Sequence, residues 1–257
     1  MSARAEPIPA PACPDDTRAA AGKRPFVQRL FSEIAPRYDW FNRLASCGLD
    51  QRWRRAALSR GGIAPGQHVL DVCAGTGDLA LLCAERQAGA GMVIGADLNR
   101  EMLLRAQRKQ PRRGGLVRWV QGDTEALPFP AGRFDRVCIG FSTRNLSDLA
   151  AGLREMVRVL KPGGRLVILE TGYPANPVVR AGYLLFLSTA ARAIGWLLTG
   201  RLWPFTYLAR SVRQFLTPDD MVRHLQHAET QVQYVPLANG LASLYIATKP
   251  DGAGPRA

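Results

Sequence analysis

Residues 68–80 constrain this chain more than any other stretch. His68-Val69-Leu70-Asp71-Val72-Cys73 has the apolar, β-branched character of a buried strand, Ala74-Gly75-Thr76-Gly77-Asp78 is a glycine turn, and residues 79–86 read as a helix. Gly75 and Gly77 leave the backbone bare for a ligand, and the helix N-terminus offers unpaired N–H groups. A second apolar run, residues 91–96, ends at Asp97, twenty positions after Gly77. A carboxylate there can accept both hydroxyls of a ribose. The unit is suited to holding a nucleoside.

Gly75-Thr76-Gly77-Asp78-Leu79-Ala80 also satisfies the loose dinucleotide pattern, so the turn by itself fits NAD and S-adenosylmethionine equally. Two details favour the second. Asp71 ends the strand and Asp78 lies in the turn; carboxylates facing the ligand attract a sulfonium and an amino group but repel a pyrophosphate. A third apolar run, residues 116–120, leads into Gln121-Gly122-Asp123, where a strand-end carboxylate can accept from the adenine amino group.

Strands and helices then alternate. Asn99 caps a helix over residues 99–109, residues 134–139 form a fourth strand, and the loop from Gly140 to Asp148 follows it. A helix over residues 149–160 is expected to close in the turn Lys161-Pro162-Gly163-Gly164, and residues 165–170 form strand five. Two further strands, residues 231–235 and 241–248, make a terminal hairpin. The pattern predicts a Rossmann-like, doubly wound, mostly parallel seven-stranded sheet whose ligands sit at the carboxyl ends of the strands. Asp71, Asp97, Asp123 and the 140–148 loop all lie there.

Domain organisation follows from the interruptions. Residues 1–24 read as a disordered tail and 250–257 as a second one, flanking a single domain over 25–249. Residues 25–60 are helical and aromatic, broken at Pro36. They either cover the sheet or form a lid over the ligand with Tyr38 as a polar-tipped wall. Residues 171–217 break the rhythm with an apolar insertion. Arg192 in its middle argues against a membrane span and for an amphipathic cap that lines a pocket or dips into a bilayer surface.

Composition narrows the function classes. Net charge is +13 and almost all of the excess is arginine, with lysine only at 23, 109, 161 and 249. The basic residues are dispersed, and no RNA-methylation motif or RNA-binding module accompanies them, so no nucleic-acid partner is expected. Five cysteines show no C-x-x-C pair and no histidine at zinc spacing. A reducing cytoplasm and no metal are expected, with Cys73 and Cys138 inside core strands.

Several segments together resemble the ubiquinone/menaquinone biosynthesis C-methyltransferases, a family of class I S-adenosylmethionine-dependent methyltransferases. These are Tyr38-Asp39 with Asn42, Ser46 and Gly48, the turn at 71–78, Ala126-Leu127-Pro128-Phe129, and Phe141 with Arg144-Asn145 and Asp148. Residues 160–165 and Tyr207-Leu208 with Ser211-Val212 and Phe215 complete the set, and coverage runs over residues 27–249. Tyr245 departs from the family, standing where histidine is common.

The resemblance implies C-methylation of a prenylated quinol, demethylmenaquinol or the equivalent ubiquinone precursor, with S-adenosylmethionine as methyl donor. The competing functions are methylation of another phenolic or polyketide metabolite, an RNA methyltransferase, and a non-enzymatic scaffold. Cofactor contacts are expected from Asp71, Gly75, Thr76, Gly77, Asp97, Leu98, Asp123, Thr124 and Gly140. Arg144 and Asn145, with Tyr38, are expected at the reacting ring, where a guanidinium favours phenolate. His224 and His227 lie on a late helix and are not placed as a base. Asp148 either relays a proton or caps a helix. A cytoplasmic protein peripheral to the membrane is expected, with a homodimer possible in principle.

Overall fold

The computed structural model describes residues 20–110 and 116–251. Three helices lead in: α1 (Ala20–Ile34), α2 (Tyr38–Ala45) and α3 (Leu49–Arg60), with a 3₁₀ turn at Ala35–Arg37 where Pro36 interrupts the helix. The alternating part follows as β1 (His68–Val72), α4 (Asp78–Gln87), β2 (Met92–Asp97), α5 (Arg100–Lys109), β3 (Val117–Gln121), β4 (Phe134–Gly140), α6 (Leu149–Val159) and β5 (Leu160–Thr171). Helices α7 (Pro177–Ser188), α8 (Ala190–Thr199), α9 (Trp203–Gln214) and α10 (Pro218–His227) precede the hairpin β6 (Gln231–Leu237) and β7 (Ala242–Thr248).

The seven strands form one sheet in the order β3-β2-β1-β4-β5-β7-β6, parallel except for β7, which runs antiparallel to both neighbours. This is the expected fold class. Val69, Leu70 and Val72 of the central β1 are fully buried, because helices cover both faces. Strand order reverses between β1 and β4, and at such a point the loops diverge and leave a crevice at the strand ends.

Local chemistry fixes the helix starts. Asn99 accepts from the Met102 N–H at 3.1 Å and Asp148 from the Ala151 N–H at 2.9 Å, so Asp148 caps α6. Thr217 and Asp220 make a capping box ahead of α10.

Three expectations change. Helix α1 starts at Ala20, so residues 20–24 of the expected tail are helical; residues 1–19 and 252–257 lie outside the described residues. Lys161-Pro162-Gly163-Gly164 belongs to β5 and not to the end of α6. There the strand bulges opposite Asp135, and Lys161 reaches the Asp135 carboxylate at 2.8 Å. Cys73 sits just beyond β1 at φ +50°, its thiol 3.3 Å from the Thr124 hydroxyl. Tyr245 is buried in β7 against the Tyr234 ring, among sheet-core side chains.

Helices α7, α8 and α9 pack on one another, and α8 also packs on α2, so Phe26, Leu30, Ile34 and Phe41 share an apolar cluster with Phe205 and Tyr207. Helices α7 and α8 meet at Thr189, and together Pro177–Thr199 is long and apolar enough to cross a membrane, with a mean hydropathy of 1.4.

Candidate active site

The chain leaves β1 through three positive-φ residues, Cys73, Gly75 and Gly77, which compress the turn so that α4 starts directly above the strand end. At Gly75 a Cβ would meet nothing within 4 Å, so the missing side chain leaves open space toward the crevice. Gly77 differs. A Cβ there would stand 2.5 Å from Cη2 of Trp119, so this glycine admits the indole and not a ligand, and it does not line the crevice. Gly77→Ala is expected to destabilise the fold by about 2–3 kcal/mol through overpacking at a left-handed residue, read in urea unfolding.

The crevice is a cavity with an empty volume of ≈ 960 Å³. Asp71, Gly75, Thr76, Asp97, Leu98, Asp123, Thr124 and Gly140 all line it, so the structure brings together every expected cofactor residue except Gly77. Asp97 is fixed by its surroundings: the Gly75 and Asn99 N–H groups each donate to one carboxylate oxygen at 2.7 Å. Each oxygen keeps a further lone pair for a hydroxyl. Burial pushes the Asp97 pKa up, and those two N–H groups oppose the shift.

Asp71 is 1 % exposed and neither carboxylate oxygen has a hydrogen-bond partner. Burial pushes its pKa to about 8, with Arg54 and the nearby Ala80 N–H, which falls outside hydrogen-bonding geometry, opposing and the Asp97 and Asp78 charges adding. An orphaned buried carboxylate on a cavity wall suits an incoming cation. Asp78, expected to face the ligand as well, lines the same crevice but already has partners of its own. Burial works against its charge, but Lys109 and Arg54 hold its pKa below the usual value, and Gln51 donates to it.

The Thr76 hydroxyl donates to Asp39, and Lys109 bonds Asp39 at 2.8 Å, so α2 is tied to the glycine turn. At the far end Arg24 of α1 bridges Asp123 and Glu125, each at 2.9 Å, while Lys23 donates to the Leu146 carbonyl. Helix α1 thus closes over the cavity at the carboxylate expected near adenine.

A second, apolar cavity of ≈ 910 Å³ empty volume lies behind the first. Leu30, Ile34, Phe41, Phe186, Phe205 and Leu208 line it, with the Phe41 and Phe205 rings in contact, 4.5 Å between centroids. Phe31, Tyr38, Arg54 and Asn145 line both cavities, so the two share a wall. Arg144 opens on the apolar one. Its side chain is 8 % exposed, with Nη1 donating to Glu170 at 2.7 Å and to the Phe141 carbonyl at 2.6 Å, and with Nε unpartnered. Asn145 accepts from the Tyr207 hydroxyl at 3.3 Å and keeps its Nδ2 free of partners. Tyr38 and Tyr183 complete the polar edge. Burial raises both pKa values, that of Tyr183 to about 12, so both phenols stay neutral donors.

Glu170 and Arg54 escape a reading of the sequence. Glu170 is 1 % exposed at the carboxyl end of β5 and accepts from Thr143, Arg144 and Thr171. Its signal was present in the sequence: like Asp71 and Asp97 it is an acid ending an apolar strand. Arg54 is hidden within a run of basic residues on α3, and only the fold shows that it alone of that run faces inward.

The lining suits a methyl donor of this kind: a carboxylate with lone pairs left for hydroxyls, an orphaned carboxylate able to take a cation, and an apolar room next door. Comparison with known proteins agrees. The model of the ubiE/COQ5 methyltransferase family matches residues 17–249. The demethylmenaquinone methyltransferase of Thermus thermophilus is 42% identical over 221 residues, covering 86% of this chain and 100% of the relative. The ubiquinone/menaquinone biosynthesis C-methyltransferase UbiE of Hahella chejuensis is 35% identical over 230 residues, covering 88% and 92%. Among solved structures, a SAM-dependent methyltransferase from Aquifex aeolicus shares the fold at a TM-score of 0.55 and 19% identity, over 76% of this chain and 88% of that one. Another from Thermotoga maritima does so at 0.57 and 16%, over 86% and 99%. On the strength of its sequence match across nearly all of the described residues, the chain belongs to the ubiE/COQ5 methyltransferase family.

Proposed function

We propose that the protein methylates a ring carbon of a prenylated quinol, demethylmenaquinol or the corresponding ubiquinone precursor. The observation that carries this reading is a buried arginine in an apolar cavity that shares a wall with the carboxylate-lined one. Relatives named for demethylmenaquinone and for ubiquinone/menaquinone methylation support it.

S-Adenosylmethionine supplies an electrophilic methyl group on a sulfonium. Asp97 is suited to the ribose hydroxyls, and Asp71 to the positive end. Asp123 serves adenine once Arg24 yields it, which makes α1 a lid that opens for exchange. On the other side Arg144 stabilises the quinol oxygen as phenolate, whose charge feeds electron density to the ring carbon; that carbon takes the methyl group as the S–CH3 bond breaks onto sulfur, and its own proton then leaves to solvent to restore the aromatic ring. Asn145 Nδ2 and Tyr38, standing in the shared wall, orient that oxygen, and the helices α7, α8 and α9 cap the prenyl tail. Holding ring and donor in line supplies a large share of the rate by proximity. The test is complementation of a strain lacking quinone methylation, with mass analysis of extracted quinones. Restoration of the methylated quinone supports the reading, and accumulation of the unmethylated one despite folded protein overturns it.

A prenylated substrate resides in a bilayer, and the cap is built to meet one. Val178, Leu185, Trp196 and Leu197 are 77, 63, 51 and 75 % exposed on α7 and α8, and Trp40 and Leu44 are exposed on the adjoining α2. Such a surface, on a chain of net charge +13, suits peripheral contact with anionic lipid. In flotation, the wild type is expected to rise with anionic vesicles and Leu185→Glu/Leu197→Glu to stay behind. Equal recovery of both proteins would remove the cap from lipid contact.

A further inference from the structure

Arg54 of α3 is buried, and its guanidinium stands over the Phe141 ring, 5.1 Å from Cζ to the centroid. Phe141 is held at φ +57°, with its N–H donating to the Leu169 carbonyl at 2.6 Å, so the shelf beneath the guanidinium is rigid. Yet Nε and Nη1 of Arg54 have no acceptor. The nearest carboxylates, Asp78 at 3.8 Å and Asp50 at 4.0 Å, attract it without hydrogen bonding. On the same cavity wall Asp71 has the opposite deficiency, two buried oxygens without a donor. The two groups do not satisfy each other. Lys109, a cation at the same end, is already engaged by Asp39, Asp78 and Thr76.

Buried polar groups are rarely left without partners, and a buried guanidinium with two orphaned nitrogens, facing the same space as an orphaned carboxylate, describes the complement of an amino-acid zwitterion. We propose that Arg54 binds the α-carboxylate of the methyl donor's amino-acid end while Asp71 holds its α-ammonium. The assignment rests on the adenosylmethionine reading above. It makes this end of the cavity selective for a free amino acid group, and it gives Arg54 a positioning role: the residue fixes the end of the ligand that leads to the sulfonium, in the wall next to the apolar cavity.

Calorimetry on the full chain tests this with two ligands, S-adenosylmethionine and its decarboxylated form, which keeps the sulfonium and the amine but lacks the carboxylate. The wild type is expected to bind the decarboxylated form about 30-fold more weakly, the worth of one charge-assisted pair. Arg54→Met is expected to bring S-adenosylmethionine down to that level and leave the decarboxylated form unchanged. Arg54→Lys keeps the charge beside Asp50 and Asp78 and loses the planar array of donors, so it should show an intermediate preference and decides the matter if the methionine variant does not fold. Equal affinity of the wild type for both ligands, or an undiminished preference in the variants, overturns the assignment. A wild type that binds neither ligand overturns the methyl-donor reading itself.

Discussion

Arg144→Met is expected to lower kcat for quinol methylation by about three orders of magnitude while leaving the affinity for S-adenosylmethionine within about twofold, because Arg144 lines the apolar cavity and not the carboxylate-lined one. The mechanism behind the loss is specific. A guanidinium beside a phenol lowers its pKa by about 1–3 units. Without it, the rising limb of the pH–rate profile should move to higher pH by a similar amount. A variant that is slow at every pH with an unshifted limb would show that Arg144 orients the ring without ionising it.

The substitution also strands Glu170, which is almost wholly buried and loses its guanidinium partner, at a cost of about 3–5 kcal/mol. The double variant Arg144→Met/Glu170→Gln removes both charges and is expected to recover most of the thermal stability with none of the activity. Glu170→Gln alone is informative in the opposite sense. It removes the anion that now offsets part of the Arg144 charge, so phenolate formation is favoured, but it also frees the guanidinium from its 2.7 Å anchor. A lower apparent pKa with a poorer kcat is the expected combination.

The fold was legible because each α/β unit carries its own local signals. Asn99, Asp148 and Thr217 mark helix starts through side-chain caps, and the β-branched run at β1 marks a strand buried on both faces. The gathering of Asp71, Gly75 and Asp97 on one crevice was legible for the same reason: they are set by the strand ends and the turn that the sequence itself dictates. Pairings between distant segments were not. Glu170 meets Arg144 only because β5 neighbours β4, and Lys109 locks Asp78 only because α5 returns beside the glycine turn. Gly77 looked like a ligand contact because its neighbours line the crevice; that Trp119 from β3 fills the space is a fact of packing across the sheet. Lys161-Pro162-Gly163-Gly164 resembled a helix stop, and the bulge that takes it into β5 depends on Asp135 in the adjoining strand.

Asp71→Asn is the sharpest probe of the cofactor side, because it acts on binding and stability with opposite signs. With its pKa raised to about 8, Asp71 is largely protonated in the ligand-free protein at neutral pH. A carboxyl whose folded pKa lies above its unfolded value stabilises the fold fully at low pH, and that contribution disappears as pH rises through the folded value. The ligand-free wild type should therefore melt at progressively lower temperature from about pH 5 to pH 8.5, and the asparagine variant, an uncharged isostere, should show a flatter profile across that range.

Each pKa unit is worth ~1.4 kcal/mol, so the wild type should lose several kcal/mol over that window relative to the variant. Binding runs the other way. An ammonium requires the ionised carboxylate, so S-adenosylmethionine should bind the wild type with proton release and more tightly as pH rises toward 8. Asp71→Asn should weaken binding about 100-fold and abolish the proton release, measured by calorimetry in buffers of different ionisation enthalpy. Equal melting profiles together with unchanged affinity would mean that Asp71 is ionised and partnered in solution, and the carboxylate would then have to meet a cation other than the cofactor's. Weakened binding with equal melting profiles would keep the contact and reject only the raised pKa. The two measurements therefore separate the electrostatics of the empty cavity from the recognition it performs.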